Sequence, residues 1–190
     1  CNPSVGGIAK SHIVFELDAL GGEMGVNADY TGIQFRTLNT KKGPAVQSNR
    51  VQCDKHAYSR RMLQVLLTAD NLRIIETTVS ELIVENGRIR GVKCHDGSEI
   101  CSRAVILTTG TFLNGIIHIG NRSVSGGRDG EKSSDELSRN LKSLGFRIGR
   151  LKTGTPPRLH TDSLDYSKMT IQPGEDPPPF FSLAARKEDR

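Results

Sequence analysis

Between Val79 and Cys101 the chain repeats short β-rich runs across two turn dipeptides, Asn86-Gly87 and Asp96-Gly97. Both favour the tight type I′ connection whose twist matches that of flanking antiparallel strands. With Leu72 to Glu76 as a further run, the segments Val79 to Glu85, Arg88 to His95 and Glu99 to Cys101 predict a β-meander. The next run, Ala104-Val105-Ile106-Leu107-Thr108-Thr109-Gly110, is continuously apolar and then breaks at small residues. That is the pattern of a strand buried on both faces of a parallel sheet.

Upstream, Ile13, Leu17 and Leu20 recur at helical spacing beside Val14, and Gly21-Gly22 supplies a stop. Residues 23 to 49 are glycine-punctuated and mostly polar, with only Gly32 to Arg36 strand-like, which predicts a long ligand-facing connection. Val51, Tyr58, Met62, Val65 and Leu66 then predict a helix from Arg50 to about Thr68. Ser133 to Glu136 reads as a capping box, followed by Leu137, Leu141 and Leu144 on one face and Gly145 at the close. The tail from Pro173 is expected to be irregular, and residues 184–190 frayed or non-native.

With 35% hydrophobic residues and 20 glycines in 190, the composition is that of a globular chain and excludes a disordered one. No apolar run approaches the roughly 18 residues of a membrane-spanning helix. Cys1, Cys53, Cys94 and Cys101 show neither C-x-x-C spacing nor a companion histidine at a metal-ligand interval. Reduced thiols in a cytosol are expected, with no metal site. His118 and His160 stand alone and read as packing or surface residues.

The net charge of +5 is unevenly spread. Residues 36–61 hold seven Lys or Arg against Asp54 alone, residues 122–158 hold nine against four acids, and the remainder is acidic. Such segregation suits a phosphate-binding surface. Aromatic residues at 5% argue against a stacking platform for single-stranded nucleic acid.

Four runs carry a resemblance: Cys1-Asn2-Pro3-Ser4-Val5-Gly6-Gly7-Ile8-Ala9-Lys10, Lys42-Gly43-Pro44-Ala45-Val46, Ser125-Gly126-Gly127-Arg128, and Lys152 to Arg158 with Thr155-Pro156-Pro157 between. In order and spacing the chain resembles the glucose-inhibited division protein A family, flavoproteins that modify the wobble uridine of tRNA, over residues 1–183. The resemblance implies an α/β fold: part of a two-dinucleotide-binding flavoprotein, an incomplete Rossmann-like FAD domain with a β-meander and an inserted α+β region. Residues 1–70 would carry the cysteine loop and helices, 71–110 the meander and sheet strand, and 111–183 the basic loops and capped helix. The chain opens on cysteine and has no G-x-G-x-x-G loop, so it reads as an excised segment of a longer cytoplasmic parent.

What the resemblance implies for chemistry is specific. The parent would add an aminomethyl or carboxymethylaminomethyl group to C5 of U34, with FAD reduced by NADH, methylene-tetrahydrofolate as one-carbon donor, and glycine or ammonium as nitrogen source. Its partners would be tRNA, a GTPase subunit (MnmE) and a second copy in a homodimer. Val79, Thr108, Thr109, Gly110 and Ser134 correspond to flavin-contacting positions, and a helix start at Ser134 suits a phosphate or carbonyl oxygen. Cys1, in a glycine loop ahead of a helix and near Lys10, is the candidate nucleophile or redox thiol, with a buried structural role as the alternative. Lys42, Arg50, Arg128, Lys152 and Arg158 are candidate contacts to substrate phosphate. Gln47 stands where many members carry arginine, and Ala9 and Ser11 replace frequent glycines. Two other readings fit parts of the pattern: a flavin-dependent oxidoreductase acting on a small molecule, and a catalytically idle tRNA-binding module.

Overall fold

The computed structural model describes residues 3–128, 130–154, 156 and 159–183. The chain divides into two compact units, one of residues 1–74 and 155–190, the other of residues 75–154.

In the first unit β1 (Ser4–Gly6), β2 (Gly32–Leu38) and β3 (Ser48–Cys53) form an antiparallel sheet in the order β1-β3-β2. Strand alternation sends Val51 and Cys53 of the central strand into the core and Arg50 and Gln52 to the other face. Val5, Val14, Ala28 and Phe181 complete that core, with Phe35 and Tyr58 packed against it. Helix α1 (Ser11–Ala19) starts where Gly7 O accepts the Lys10 and Ser11 amides. That start turns Ser11 and Val14 inward and leaves Ile13, Leu17 and Leu20, the residues read at helical spacing, exposed.

The expected long connection over residues 23–49 is instead helix α2 (Glu23–Thr31) running directly into β2, followed by one short turn at Pro44–Val46. The helix escapes hydrophobic periodicity because its buried face is small and polar: Gly25, Asn27, Ala28, Asp29 and Thr31. Hydrogen bonds make that face tenable, since Thr31 Oγ1 donates to Asn27 O at 2.7 Å and Asn27 Nδ2 to Tyr58 O at 3.1 Å. The next helix is also corrected. Residues 50–53 belong to β3, and α3 (Lys55–Thr68) begins only after Asp54, whose carboxylate accepts the His56 and Ala57 amides at 2.8 Å.

The stretch from Gln172 returns to this unit. Gln34 Nε2 donates to Gln172 O at 2.8 Å, Glu175 N to Phe35 O at 2.9 Å, and Asn49 Nδ2 to Pro179 O at 3.0 Å. Buried Asp29 then accepts the Phe181 amide at 3.0 Å and the Ser182 amide at 2.7 Å. The Phe181 ring, 1% exposed, lies 5.2 Å from that of Phe15. It sits where a Cβ on Gly6 would come within 2.6 Å of it. Residues 173–183 are irregular as expected but docked, and residues 184–190 lie outside the described residues.

In the second unit β4 (Val79–Glu85), β5 (Arg88–Cys94) and β6 (Glu99–Cys101) form the meander. Asn86 and Gly87 both have positive φ, 50° and 72°, as a type I′ turn demands. The second turn differs from expectation. Only Gly97 is left-handed, Gly97 N bonds Cys94 O at 3.0 Å and Cys94 N bonds Ser98 O at 2.8 Å, which makes a three-residue loop ending in a glycine bulge. Asp96 favours this form because its carboxylate accepts both the amide and the hydroxyl of Ser98.

Residues 72–76 form no strand, and neither does Ala104 to Gly110, where Ile106 is 87% exposed. Among the described residues no strand lies beside either run to complete a ladder. A hairpin follows, β7 (Ile116–Ile119) with β8 (Arg122–Ser125). Helix α4 (Asp135–Ser143) packs Leu137 and Leu141 on the meander, and Asn140 Oδ1 accepts the Leu82 amide at 2.9 Å. It closes at Gly145, φ 91°, with Phe146 N bonded to Leu141 O and Gly145 N to Lys142 O.

Two predictions follow from this packing. Phe181→Ala should cost about 3–5 kcal/mol in urea unfolding, as large core truncations do, whereas Leu183→Ala, at a site 70% exposed, should stay within about 0.5 kcal/mol. The Ala57 and His56 amides hold the Asp54 carboxyl below its ordinary 3.8. A depressed folded-state value stabilises above the unfolded pKa and is lost as pH falls through the folded one. The stability gap between the protein and Asp54→Ala, followed by denaturant melts from pH 6 downward, should therefore be full above about pH 5 and shrink below pH 4.

Candidate functional site

The candidate flavin-contact positions gather around the start of α4. Thr109 O accepts the Phe112 amide across a turn at Gly110, φ 58°, where a Cβ would meet nothing within 4 Å. Phe112 O in turn accepts the Ser134 amide at 2.8 Å, and Asn114 N donates to Ser134 O. On the other side, Thr78 O, next to Val79, accepts the His95 amide, and His95 Nδ1 lies 3.2 Å from Glu136 Oε2. Thr108 and Gly110 are exposed, and Val79, Thr109 and Ser134 half-buried.

This geometry changes the expected role of Ser134. Its amide is taken by Phe112, and Asp135 and Glu136 already occupy the first turn of the helix, where their charge disfavours a phosphate. The Ser134 hydroxyl makes no capping bond, and Ser133 Oγ is bound to Phe112 O, Asp135 and the Gly115 amide instead of capping the helix. The capping box is thus absent. What remains suits a flavin carbonyl or hydroxyl: one hydroxyl, open backbone at Thr108 to Gly110, and the Val79 side chain. These residues fit contacts to the edge of a flavin, and they do not fit its pyrophosphate.

The glycines of Ser125-Gly126-Gly127-Arg128 serve packing. A Cβ on Gly127 would enter the Phe112 ring, with Phe112 Cε1 at 2.7 Å, and one on Gly126 would lie 2.9 Å from Glu131 O. Thr111 Oγ1 further ties the run by donating to Gly127 O at 2.6 Å. Arg128 is exposed but already partnered: Nε donates to Glu131 Oε1 at 2.8 Å and the guanidinium forms an ion pair with it. The pair rims an open concavity of about 260 Å³ with Ile117, Ile119 and Val124 in its lining. Lys152 is exposed and has no ion pair among the described residues. Cys1 and Arg158 lie outside the described residues.

In the first unit Lys42 is exposed in a loop braced by Gln47, whose Nε2 donates to Lys42 O at 3.0 Å. The glutamine that stands for a frequent arginine is therefore a loop brace. Ala9, in place of a glycine, adopts φ 59°, a conformation that glycine takes without strain. Arg50 lies on β3 directly across from Arg36 of β2, a neighbour that sequence reasoning did not single out because it depends on strand register. Burial pushes the Cys53 thiol up, which fits a protonated core residue. Cys94 is buried and Cys101 exposed. His118 Nδ1 lies 2.9 Å from Ser123 Oγ, and His160, read as solitary, lies 3.5 Å from Asp162. Among the described residues no cluster suits a metal ion, and no helix is long and apolar enough to cross a membrane.

Gly127→Ala should lower stability by about 1–3 kcal/mol, the usual cost of forcing an extra methyl into a packed site. Gly43→Ala, with nothing within 4 Å of its Cβ, should be close to neutral in the same thermal melt.

The family model for glucose inhibited division protein A matches residues 1–190. The tRNA uridine 5-carboxymethylaminomethyl modification enzyme MnmG of Wolinella succinogenes is 53% identical over 189 residues, covering 100% of this chain and 30% of that protein. The enzyme of the same name from Geobacter sulfurreducens is 50% identical over 190 residues, again 30% of its length. The crystal structure of Aquifex aeolicus GidA (form II) superposes with a TM-score of 0.88 at 50% identity, covering 96% of this chain and 30% of that one. The chain therefore spans about 30% of the length of the relatives it matches, and it belongs to the glucose-inhibited division protein A family.

Proposed function

We propose that this chain is a segment of an FAD-dependent enzyme that installs an aminomethyl or carboxymethylaminomethyl group at C5 of the wobble uridine of tRNA. The observation that carries the reading is the family match along the whole chain, joined to relatives named for tRNA uridine modification at about 50% identity. The meander, the Thr108 to Gly110 turn and the Ser134 hydroxyl would line one edge of the flavin, and the pyrophosphate would rest on parts of the parent other than these. FAD, when bound, supplies a redox-active ring that takes electrons from NADH and handles a one-carbon unit from methylene-tetrahydrofolate.

This chain's own contribution is to orient and to attract. Open backbone at Thr108 to Gly110 admits a planar ring edge, and the Ser134 hydroxyl offers a donor to a ring oxygen. Cys1, at the head of the glycine loop, is the proposed nucleophile or redox thiol. Lys42, Arg50, Lys152, Arg158 and, once released from Glu131, Arg128 would meet tRNA phosphate. The GTPase subunit and a second copy of the parent, working in the cytoplasm, complete the proposed assembly. The basic segments favour this reading over a small-molecule flavoenzyme, which has no use for them.

The test is mass spectrometry of wobble nucleosides in tRNA from the source cells with the parent gene deleted and then restored. Loss and return of 5-aminomethyl-type uridines is the expected result. An unchanged profile in cells without a duplicate gene discards the reading in favour of the small-molecule flavoenzyme.

A further inference from the structure

The polar face of the three-stranded sheet carries an unusual pair. Antiparallel register sets Gly6, Arg50 and Arg36 on one rung across β1, β3 and β2, and Ser4, Gln52 and Gln34 on the adjoining rung. All six are half-buried. Val5, Val51 and Phe35, one position along each strand, belong to the opposite, core-facing side. The two arginines are therefore direct cross-strand neighbours on the same face.

Like charges directly opposite on a sheet destabilise it. A carboxylate close by would normally offset the repulsion, yet among the described residues neither arginine has an ion-pair partner. Glu175, three residues beyond Gln172, is spent on Thr37, accepting its amide at 2.6 Å and its hydroxyl at 3.0 Å. Arg36 is held by a neutral group, donating from Nη1 to Gln172 Oε1 at 3.0 Å. That bond fixes the fork without cancelling its charge. Gln34 is fixed by the same strap residue, through Gln172 O.

We propose that Arg36 and Arg50 together hold one phosphate group of a ligand, with the glutamines of the adjoining rung as flanking polar neighbours. Two guanidiniums carried on directly paired strand positions can between them meet the several oxygens of a phosphate, which a single lysine cannot do. The site deepens the proposed function, on which its biological meaning rests: the phosphate comes either from the tRNA backbone or from a dinucleotide cofactor. Gly6, the third member of the rung, serves packing: a Cβ there would meet Asn49 O and the Phe181 ring.

The experiment uses the full-length parent protein and its variants Arg36→Gln, Arg50→Gln, the double variant, and Arg36→Lys/Arg50→Lys. Thermal midpoints are read against inorganic phosphate and pyrophosphate, with chloride at matched ionic strength as reference. Phosphate should raise the midpoint of the unaltered protein. Each glutamine variant should lose at least about tenfold in apparent phosphate affinity, the double variant should be no worse than either single one, and the lysine pair should fall between. No phosphate-specific rise in the unaltered protein overturns the site whatever the variants do, and so does an undiminished response in folded glutamine variants.

A second arm assigns the source. A tRNA-affinity salt slope reduced by about one phosphate in the variants identifies the RNA backbone. An unchanged slope with the phosphate response lost identifies the small ligand. The nucleoside profile of the deletion strain is independent of both arms, so a failed site and a failed function are distinguishable.

Discussion

Asp29 is the interaction on which the first unit depends. Its two carboxylate oxygens accept the amides of Phe181 and Ser182, more than 150 residues away. A buried carboxylate is tolerable only when its charge is met by donors, and a chain end that crosses a sheet needs its amides satisfied. The two requirements answer one another. By fixing the backbone at 181, Asp29 delivers the Phe181 ring to the core and against Gly6, so β1 is packed by a residue far along the chain.

The strap from Gln172 to Ser182 therefore does more than close a core. Gln172 orients Arg36, Glu175 occupies Thr37, and Pro179 takes the Asn49 side chain. These contacts are side chain to backbone or polar to polar, individually modest, each worth about 0.5–1.5 kcal/mol net. Their joint effect is positional. They hold β2 in the register that places Arg36 opposite Arg50, and they engage Glu175, one of the two acids of the strap beside Asp176, on Thr37.

Legibility of the sequence followed the physics of each element. The meander is readable because Asn86-Gly87 and Asp96-Gly97 announce turns locally, although at the second the Ser98 amide and hydroxyl, donating to the Asp96 carboxylate, select a different loop. Helix α2 was invisible because a polar buried face of Asn27, Asp29 and Thr31 has no hydrophobic period, only partners far along the chain. The boundary of α3 was misplaced because Val51 belongs at once to the strand alternation and to the helical spacing, and the capping carboxylate of Asp54 decided between them. The Ala104 to Gly110 run reads as a buried strand on composition, but a strand exists only with a ladder partner. Site residues were legible by type and not by state: nothing in the spacing told that Arg128 would turn to Glu131 or that Arg36 would face Arg50.

The Arg128 and the Arg36–Arg50 positions differ in how their charge is met. In the second unit Arg128 is neutralised within one turn by Glu131, and the start of α4 is acidic, so an anion arriving there must displace existing partners. In the first unit the arginine pair has no ion-pair partner among the described residues, on a sheet stabilised from its other face by Val5, Val51 and Phe181. Repulsion stored in a folded sheet is released when an anion binds, and whatever binds the folded form alone also stabilises it. The core built around Asp29 and Phe181 is what allows the unbound sheet to carry that repulsion, which makes the clasp at one end of the chain a condition for anion recognition at the other.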